Sequence, residues 1–223
     1  MTAPYISIRR RAALAGLVVG PLLLTAGELV QPDSGDGADG MAAAIAQSAD
    51  AWLIGWTLTM LGAAVILPGL AALSARIGRR GSGLSTAGTI LFGAGLLGLV
   101  GLAASELSLV PVVNQDAAAA VPILARMNES AALLTIFALY LPGWFFGLPV
   151  LLGGLFRARV APWWSLAAGI ASVIVGFVLA DTVPQADAVS SVLMLLAFGG
   201  VLAHRDPARI AVAARTADAT VTA

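Results

Sequence analysis

The chain alternates between long runs of apolar residues and short polar segments. A helix needs about 20 mostly apolar residues to cross the roughly 30 Å hydrocarbon core of a bilayer. Six runs approach or exceed this length, and the last is the shortest. They cover residues 12 to 30, 51 to 74, 84 to 105, 131 to 155, 163 to 180 and 188 to 203. The pattern predicts an all-α, polytopic membrane bundle of six transmembrane helices.

Arginine carries every basic charge except that of one histidine, and nearly all arginines lie in four clusters between the apolar runs. The clusters are Arg9 to Arg11; Arg76, Arg79 and Arg80; Arg157 and Arg159; and Arg205, Arg209 and Arg215. Basic residues are enriched in cytoplasmic loops, so both termini and the loops at 75 to 83 and 156 to 162 are predicted to be cytoplasmic. The absence of lysine is typical of a GC-rich bacterial genome, so we expect a bacterial plasma membrane.

The first apolar run has a second interpretation. Arg9 to Arg11 followed by an apolar stretch also fits the basic region and hydrophobic region of a cleaved signal, including a twin-arginine signal. No small-residue cleavage site follows the run closely, which favours a retained helix.

The predicted outer loops contain several kinds of sequence. Residues 31 to 40 are turn formers, whereas the alanine-rich residues 41 to 50 predict an outward extension of the second helix. Residues 117 to 127 fit either a short amphipathic helix on the outer surface or an extension of the fourth span. Both interpretations remain open. We expect one domain over residues 1 to 209 and a flexible cytoplasmic tail at 210 to 223.

Composition supports a membrane protein and excludes several kinds of site. The chain is 59% hydrophobic and 11% charged, with a mean hydropathy of +0.94, against about 25% charged residues in soluble domains. It has one histidine and no cysteine, so the usual zinc and haem ligand sets are missing and no cofactor is expected. No nucleophile pairs with a base, so we expect no enzyme. Nothing indicates nucleic-acid binding.

The chain also resembles itself when it is shifted by 81 positions. Matching residues include Gly62 with Gly143, Leu67-Pro68 with Leu148-Pro149, Arg76 with Arg157, Ala87-Gly88 with Ala168-Gly169, and Gly95 with Gly176. The match predicts a parallel repeat in which helices two and three correspond to helices four and five. Proline and glycine fix backbone shape, which gives these matches structural weight.

Small residues and prolines mark packing surfaces within the predicted spans. Gly143 and Gly147 form a small-xxx-small motif that fits either packing within one chain or a homodimer, and packing within the chain is favoured. Pro68 and Pro149 remove intrahelical hydrogen bonds and are candidates for hinges or packing positions. The expected partners are membrane lipid and either a second membrane protein or a second copy of the chain.

Five carboxylates lie at predicted helix ends on the outer side. Glu28, Glu106 and Asp181 end helices that run outward, whereas Asp50 and Glu129 begin helices that run inward. Together they would form an acidic outer mouth that concentrates cations. The alternative is that outer loops simply lack basic residues under the positive-inside bias.

Several segments resemble a family of six-span bacterial membrane proteins, actinobacterial in type, that is grouped as a domain of unknown function. They are Met41 to Trp56, the Leu-Pro-x-Leu turn before Arg76, and the run from Phe146 to Arg157 with Ala161-Pro162 after it. The resemblance covers residues 41 to 180 and implies no activity. The sequence therefore favours a non-catalytic structural, accessory or regulatory membrane component. The alternative is a small transporter or channel for a neutral or cationic solute.

Overall fold

The computed structural model describes residues 3–34, 37–75, 77, 81–180, 182 and 185–204. Every regular element within these ranges is helical. Asp181, the arginine clusters around residue 79 and after residue 204, and the tail at 210 to 223 lie outside the described residues.

The apolar runs form nine α-helices and two π-helical turns in the described part of the chain. The elements are α1 Ala3–Val30, α2 Gly37–Gln47, α3 Ala49–Ser74, α4 Ser82–Gln115, α5 Ala117–Asn128, α6 Ala131–Pro142, a first π-turn Gly143–Gly147, α7 Leu148–Arg157, α8 Trp163–Val173, a second π-turn Ile174–Val178 and α9 Ala186–Ala203. Helices satisfy their own backbone hydrogen bonds, which lipid requires of a spanning segment.

Five segments among the described residues are long and apolar enough to cross a membrane. They are Arg10–Val30, Gly37–Ser74, Ser82–Gln115, Ala131–Arg157 and Ala186–Ala203. The prediction of an all-helical chain is therefore confirmed for the described residues, and five of its segments have the length and composition of membrane spans. The predicted span at 163 to 180 forms a shorter apolar helix, Trp163–Val178.

Six helical members form a closed ring. α1, α3, α4, the α6–α7 segment, α8 with its π-turn, and α9 each contact the next member in chain order, and α9 contacts α1. We call the end where α1 ends and α9 begins the acidic end, because Glu28 and Asp187 lie there. The other end carries the exposed residues Arg10, Arg11, Arg157 and Arg159.

The interior of the ring toward the arginine-bearing end is filled by apolar side chains. Leu17, Ile66, Phe92, Leu148 and Phe198 come from five different members, and each is fully buried. Interior packing of this kind leaves no room for a solute in this half of the ring.

Close contact between α4 and the α6–α7 segment depends on glycine. A Cβ atom on Gly95 would lie 2.8 Å from the carbonyl carbon of Gly143, and a Cβ atom on Gly147 would overlap the backbone of Phe92. The small-xxx-small motif of Gly143 and Gly147 is thus used for packing within the chain, which the sequence favoured over a dimer seam.

α2 and α5 pack together beside the ring, against the extension of α4. They share a separate apolar core with Trp52 and Val110. Residues 41 to 50 extend the second span outward as helix, with a local break at Ser48 that separates α2 from α3. α5 is also a separate helix, because the side chain of Asp116 caps its start and the side chain of Ser130 caps the start of α6.

Candidate functional site

A cavity of about 210 Å³ lies inside the ring, toward the acidic end. All six members of the ring contribute to its wall. The lining residues are Leu24, Glu28, Gln31, Trp56, Leu99, Leu102, Tyr140, Trp144, Gly176, Phe177, Asp187, Ser190 and Ser191. The cavity wall thus combines apolar and aromatic side chains with a few acidic and hydrogen-bonding groups, which is the usual character of a small-molecule site.

Two carboxylates face this cavity from adjacent helices. Glu28 belongs to the last turn of α1 and Asp187 to the first turn of α9, and these helices contact each other. Like charges at the two positions repel each other. The C-terminus of α1 also disfavours a negative charge at Glu28, whereas the N-terminus of α9 favours one at Asp187.

No arginine that the structure describes offsets this negative charge. Among the described residues, neither Glu28 nor Asp187 forms an ion pair. Carboxylates within a membrane bundle that lack a cation partner are costly and commonly functional, and these two lie at the helix ends that border the bundle. Glu28 is half-buried and Asp187 is exposed, so a bound cation would chiefly remove the repulsion between them.

Aromatic rings form much of the remaining wall. The rings of Tyr140 and Trp144 have centroids 5.9 Å apart, and those of Tyr140 and Phe177 have centroids 6.0 Å apart. Trp56 adds a second indole from α3. Ring faces carry partial negative charge, so this wall attracts cations as the carboxylates do.

Residues of both π-turns line the cavity. Trp144 belongs to the first π-turn, and Gly176 and Phe177 belong to the second. Pro149 has no N–H to donate to the carbonyl of the preceding turn, which is consistent with irregular hydrogen bonding in the first π-turn. A π-turn inserted in an α-helix is frequently found at a functional site.

Gly176 lets α9 approach the second π-turn closely. A Cβ atom there would lie 2.8 Å from Oγ of Ser190 and 3.7 Å from Oδ1 of Asp187. One turn earlier, the hydroxyl of Ser172 donates to the carbonyl of Ser190 at 2.8 Å and lies 3.1 Å from its hydroxyl. These contacts fix the helix that carries Asp187.

The cavity also has hydrogen-bond donors that lack acceptors. Nε2 of Gln31 and Nε1 of Trp56 are buried, and neither has a partner among the described residues. Leaving a buried donor unpaired costs about 1–3 kcal/mol. Water or a ligand with an acceptor oxygen would satisfy them.

Glu106 lies near the cavity but does not line it. It follows Leu99 and Leu102 on one face of α4, is 9% exposed, and has an Oε2 atom without a hydrogen-bond partner in the described chain. Nε1 of Trp52 donates to its carbonyl oxygen at 3.3 Å. The prediction that Glu106 ends the third helix is wrong, since α4 continues to Gln115.

The other predicted site residues are not brought into the cavity wall. Asp50 and Glu129 are exposed, and Asp181 lies outside the described residues. Pro68, Pro149, Gly143 and Gly147 are absent from the lining, and the two glycines serve the packing of the helices.

Sequence reasoning missed most of the cavity. Asp187, Tyr140, Trp144 and Trp56 were not among the predicted site residues. A signal existed in the helical spacing: Asp187, Ser190 and Ser191 share one face of an otherwise apolar α9.

No group of three histidine, cysteine, aspartate or glutamate side chains that could hold an ion occurs within the described ranges.

No protein-family model, no curated protein and no solved structure matches the chain. The case for a function therefore rests on the cavity.

Proposed function

We propose that the protein is a six-span bacterial plasma-membrane protein that binds a small cationic solute from the outer side and carries it across the membrane. The observation that carries this proposal is the pair of carboxylates, Glu28 and Asp187, in one aromatic-lined cavity, where neither pairs with a cationic side chain among the described residues. A site of this composition stabilises a cation both by charge and by ring faces.

The proposal includes a sixth crossing by Trp163–Val178. A helix of 16 residues is about 24 Å long, somewhat less than the roughly 30 Å hydrocarbon core. Its first turn follows the end of α7 closely, and its last turn reaches the cavity. Local bilayer thinning accommodates a mismatch of this size at modest cost.

The distribution of charge supports an outward-facing cavity. Arg10, Arg11, Arg157 and Arg159 are exposed at the opposite end of the ring from Glu28 and Asp187. Under the positive-inside bias the arginine-bearing end is cytoplasmic, which gives cytoplasmic termini and an external cavity.

Transport would require the packed half of the ring to open. Phe92 and Phe198 are fully buried, with ring centroids 6.2 Å apart, beyond the cavity wall. In this proposal the two hairpins of the 81-residue repeat move relative to each other, and Pro68 and Pro149 mark the bends. Repeat-based transporters commonly move in this way around a site near the bilayer midplane.

The closed half of the ring favours a second candidate function. A chain that binds a solute without releasing it on the other side is an accessory or regulatory membrane component, as the sequence first favoured. The two candidates share the cation site and differ in whether the packed interior opens.

Purified protein in liposomes tests both candidates. Binding of a cation panel (Na⁺, K⁺, Mg²⁺, ethanolamine and choline) is measured by calorimetry, and uptake of the bound member is measured with protein-free liposomes as the control. Saturable binding with uptake supports the transporter, and binding without uptake supports the accessory component. If no cation binds to folded protein, both proposals are wrong.

A further inference from the structure

If the cavity binds a cation as proposed above, its volume limits the size of that cation. An apolar cavity of about 150 Å³ is large enough to hold benzene. The volume here is about 210 Å³, so an organic molecule slightly larger than benzene fits. Since a water molecule occupies about 30 Å³ of liquid, a bare metal ion would leave space for several waters beside the aromatic rings.

The coordinating groups also favour an organic cation over a metal ion. Ca²⁺ and Mg²⁺ take six or more oxygen ligands in close geometry, whereas the lining offers two carboxylates from different helices. It offers four aromatic side chains instead: Trp56, Tyr140, Trp144 and Phe177. Aromatic rings with nearby carboxylates are the chemistry that recognises ammonium groups.

The unpaired donors add a second requirement. An indole N–H can only donate, so Nε1 of Trp56 needs an acceptor whatever its surroundings. Nε2 of Gln31 lies in the same wall and also lacks a partner in the described chain. An ammonium group alone would leave both donors unpaired, whereas a hydroxyl or carbonyl oxygen on the same ligand accepts from them.

We propose that the cavity binds a small organic ammonium that carries a hydroxyl or carbonyl oxygen. The ammonium group lies by Glu28 and Asp187 and against the rings of Tyr140, Trp144 and Phe177. The oxygen accepts from Trp56 and Gln31. This inference rests on the proposed cation site and specifies its substrate class.

Three ligands applied to the unmodified protein separate the contributions. Choline has both groups, 3,3-dimethylbutan-1-ol replaces its charged nitrogen with carbon, and propyltrimethylammonium lacks its hydroxyl. Calorimetry on the full chain in detergent is expected to give choline the lowest Kd. The neutral alcohol is expected to bind at least tenfold more weakly, and propyltrimethylammonium several-fold more weakly.

Variants then assign each end of the ligand. Asp187→Asn is expected to weaken choline binding at least tenfold and to leave the neutral alcohol unchanged. Trp56→Phe keeps an aromatic ring but removes one of the two donors, so the advantage of choline over propyltrimethylammonium should shrink. Phe146→Leu alters an aromatic side chain that is 62% exposed outside the cavity and serves as the control.

The possible results distinguish this inference from the proposed function. If Na⁺, K⁺ or Mg²⁺ binds but choline and ethanolamine do not, the ammonium inference is overturned and the proposed cation site stands. Equal affinity for choline and the neutral alcohol would overturn both, since the carboxylates would then have no role. Because the ligand series uses the unmodified chain, a variant that fails to fold does not remove the test.

Discussion

The indole ring of Trp144 packs on the phenyl ring of Phe92, with centroids 5.6 Å apart and planes inclined by 53°. Trp144 lines the cavity, whereas Phe92 belongs to the apolar core behind it and also packs on Phe198. This pair is therefore the boundary between the cavity and the closed half of the ring.

Removing the ring of Phe92 should both destabilise the fold and deepen the cavity. We expect Phe92→Ala to lower the free energy of unfolding by about 3–5 kcal/mol, because a fully buried ring leaves a void. Phe146→Ala, at a position that is 62% exposed, is the matched control. Thermal unfolding in one detergent compares them, and equal losses would mean that Phe92 does not form a packed boundary.

A second prediction concerns the glycines that let α4 approach the α6–α7 segment closely. α4 also contains the control position. Gly95→Ala places a methyl group against the backbone of Gly143 and should cost about 1–3 kcal/mol through overpacking. A Cβ atom on Gly93 would meet only Cδ2 of Leu67, at 3.9 Å, so Gly93→Ala should be neutral or slightly stabilising. The measurement is the unfolding midpoint of each variant. Similar midpoints would show that α4 does not approach the α6–α7 segment this closely.

The contact between Trp52 and Glu106 joins α3 to α4 beside the pair formed by α2 and α5. Trp52→Phe keeps most of the apolar volume but loses the donor to the carbonyl of Glu106, and it should cost about 0.6 kcal/mol, as is typical of interhelical hydrogen bonds in membranes. We expect faster hydrogen exchange in α2 and α5 than in the unmodified protein. Trp163→Phe, at a position that is 69% exposed, should leave that exchange unchanged. If exchange in α2 and α5 is unchanged in Trp52→Phe as well, the hydrogen bond from Trp52 to Glu106 does not stabilise these helices.

The sequence predicted the helices well, because a bilayer admits few alternatives to an apolar helix. It failed at the end of α4, where Glu106 was taken as a boundary although the chain stays apolar beyond it. The buried contact with Trp52 and the packing of α2 and α5 keep that segment helical. Charge alone therefore does not end a helix when tertiary contacts cover it.

The cavity was harder to predict because its residues come from every member of the ring. Glu28 was a candidate from its position at a helix end, but its pairing with Asp187 depends on the closure of α9 against α1. The close approach of Tyr140 to α4 depends on Gly98, where a Cβ atom would lie 2.7 Å from the backbone nitrogen of Tyr140. Contacts of this kind between helices cannot be predicted from the hydropathy of the sequence.

The orientation of the cavity can be measured directly, because the chain has no cysteine and each introduced thiol is unique. Gln115 and Gly83 are exposed residues near opposite ends of α4, and a Cβ atom on Gly83 meets nothing within 4 Å. We expect a membrane-impermeant maleimide to label Gln115→Cys in intact cells and Gly83→Cys only after permeabilisation. The opposite pattern would place the cavity on the cytoplasmic side and exclude uptake from outside as its role.

The same reagent tests the sixth crossing. Ala158 precedes the short helix Trp163–Val178, and the exposed residue Thr182 follows it. If that helix spans, Thr182→Cys labels in intact cells together with Gln115→Cys, and Ala158→Cys labels only after permeabilisation. Labelling of Ala158→Cys and Thr182→Cys from the same side would make the helix re-entrant. The second π-turn would then bring Gly176 and Phe177 to the cavity from a segment that does not cross the membrane. The proposed movement of two membrane-spanning hairpins relative to each other would be wrong.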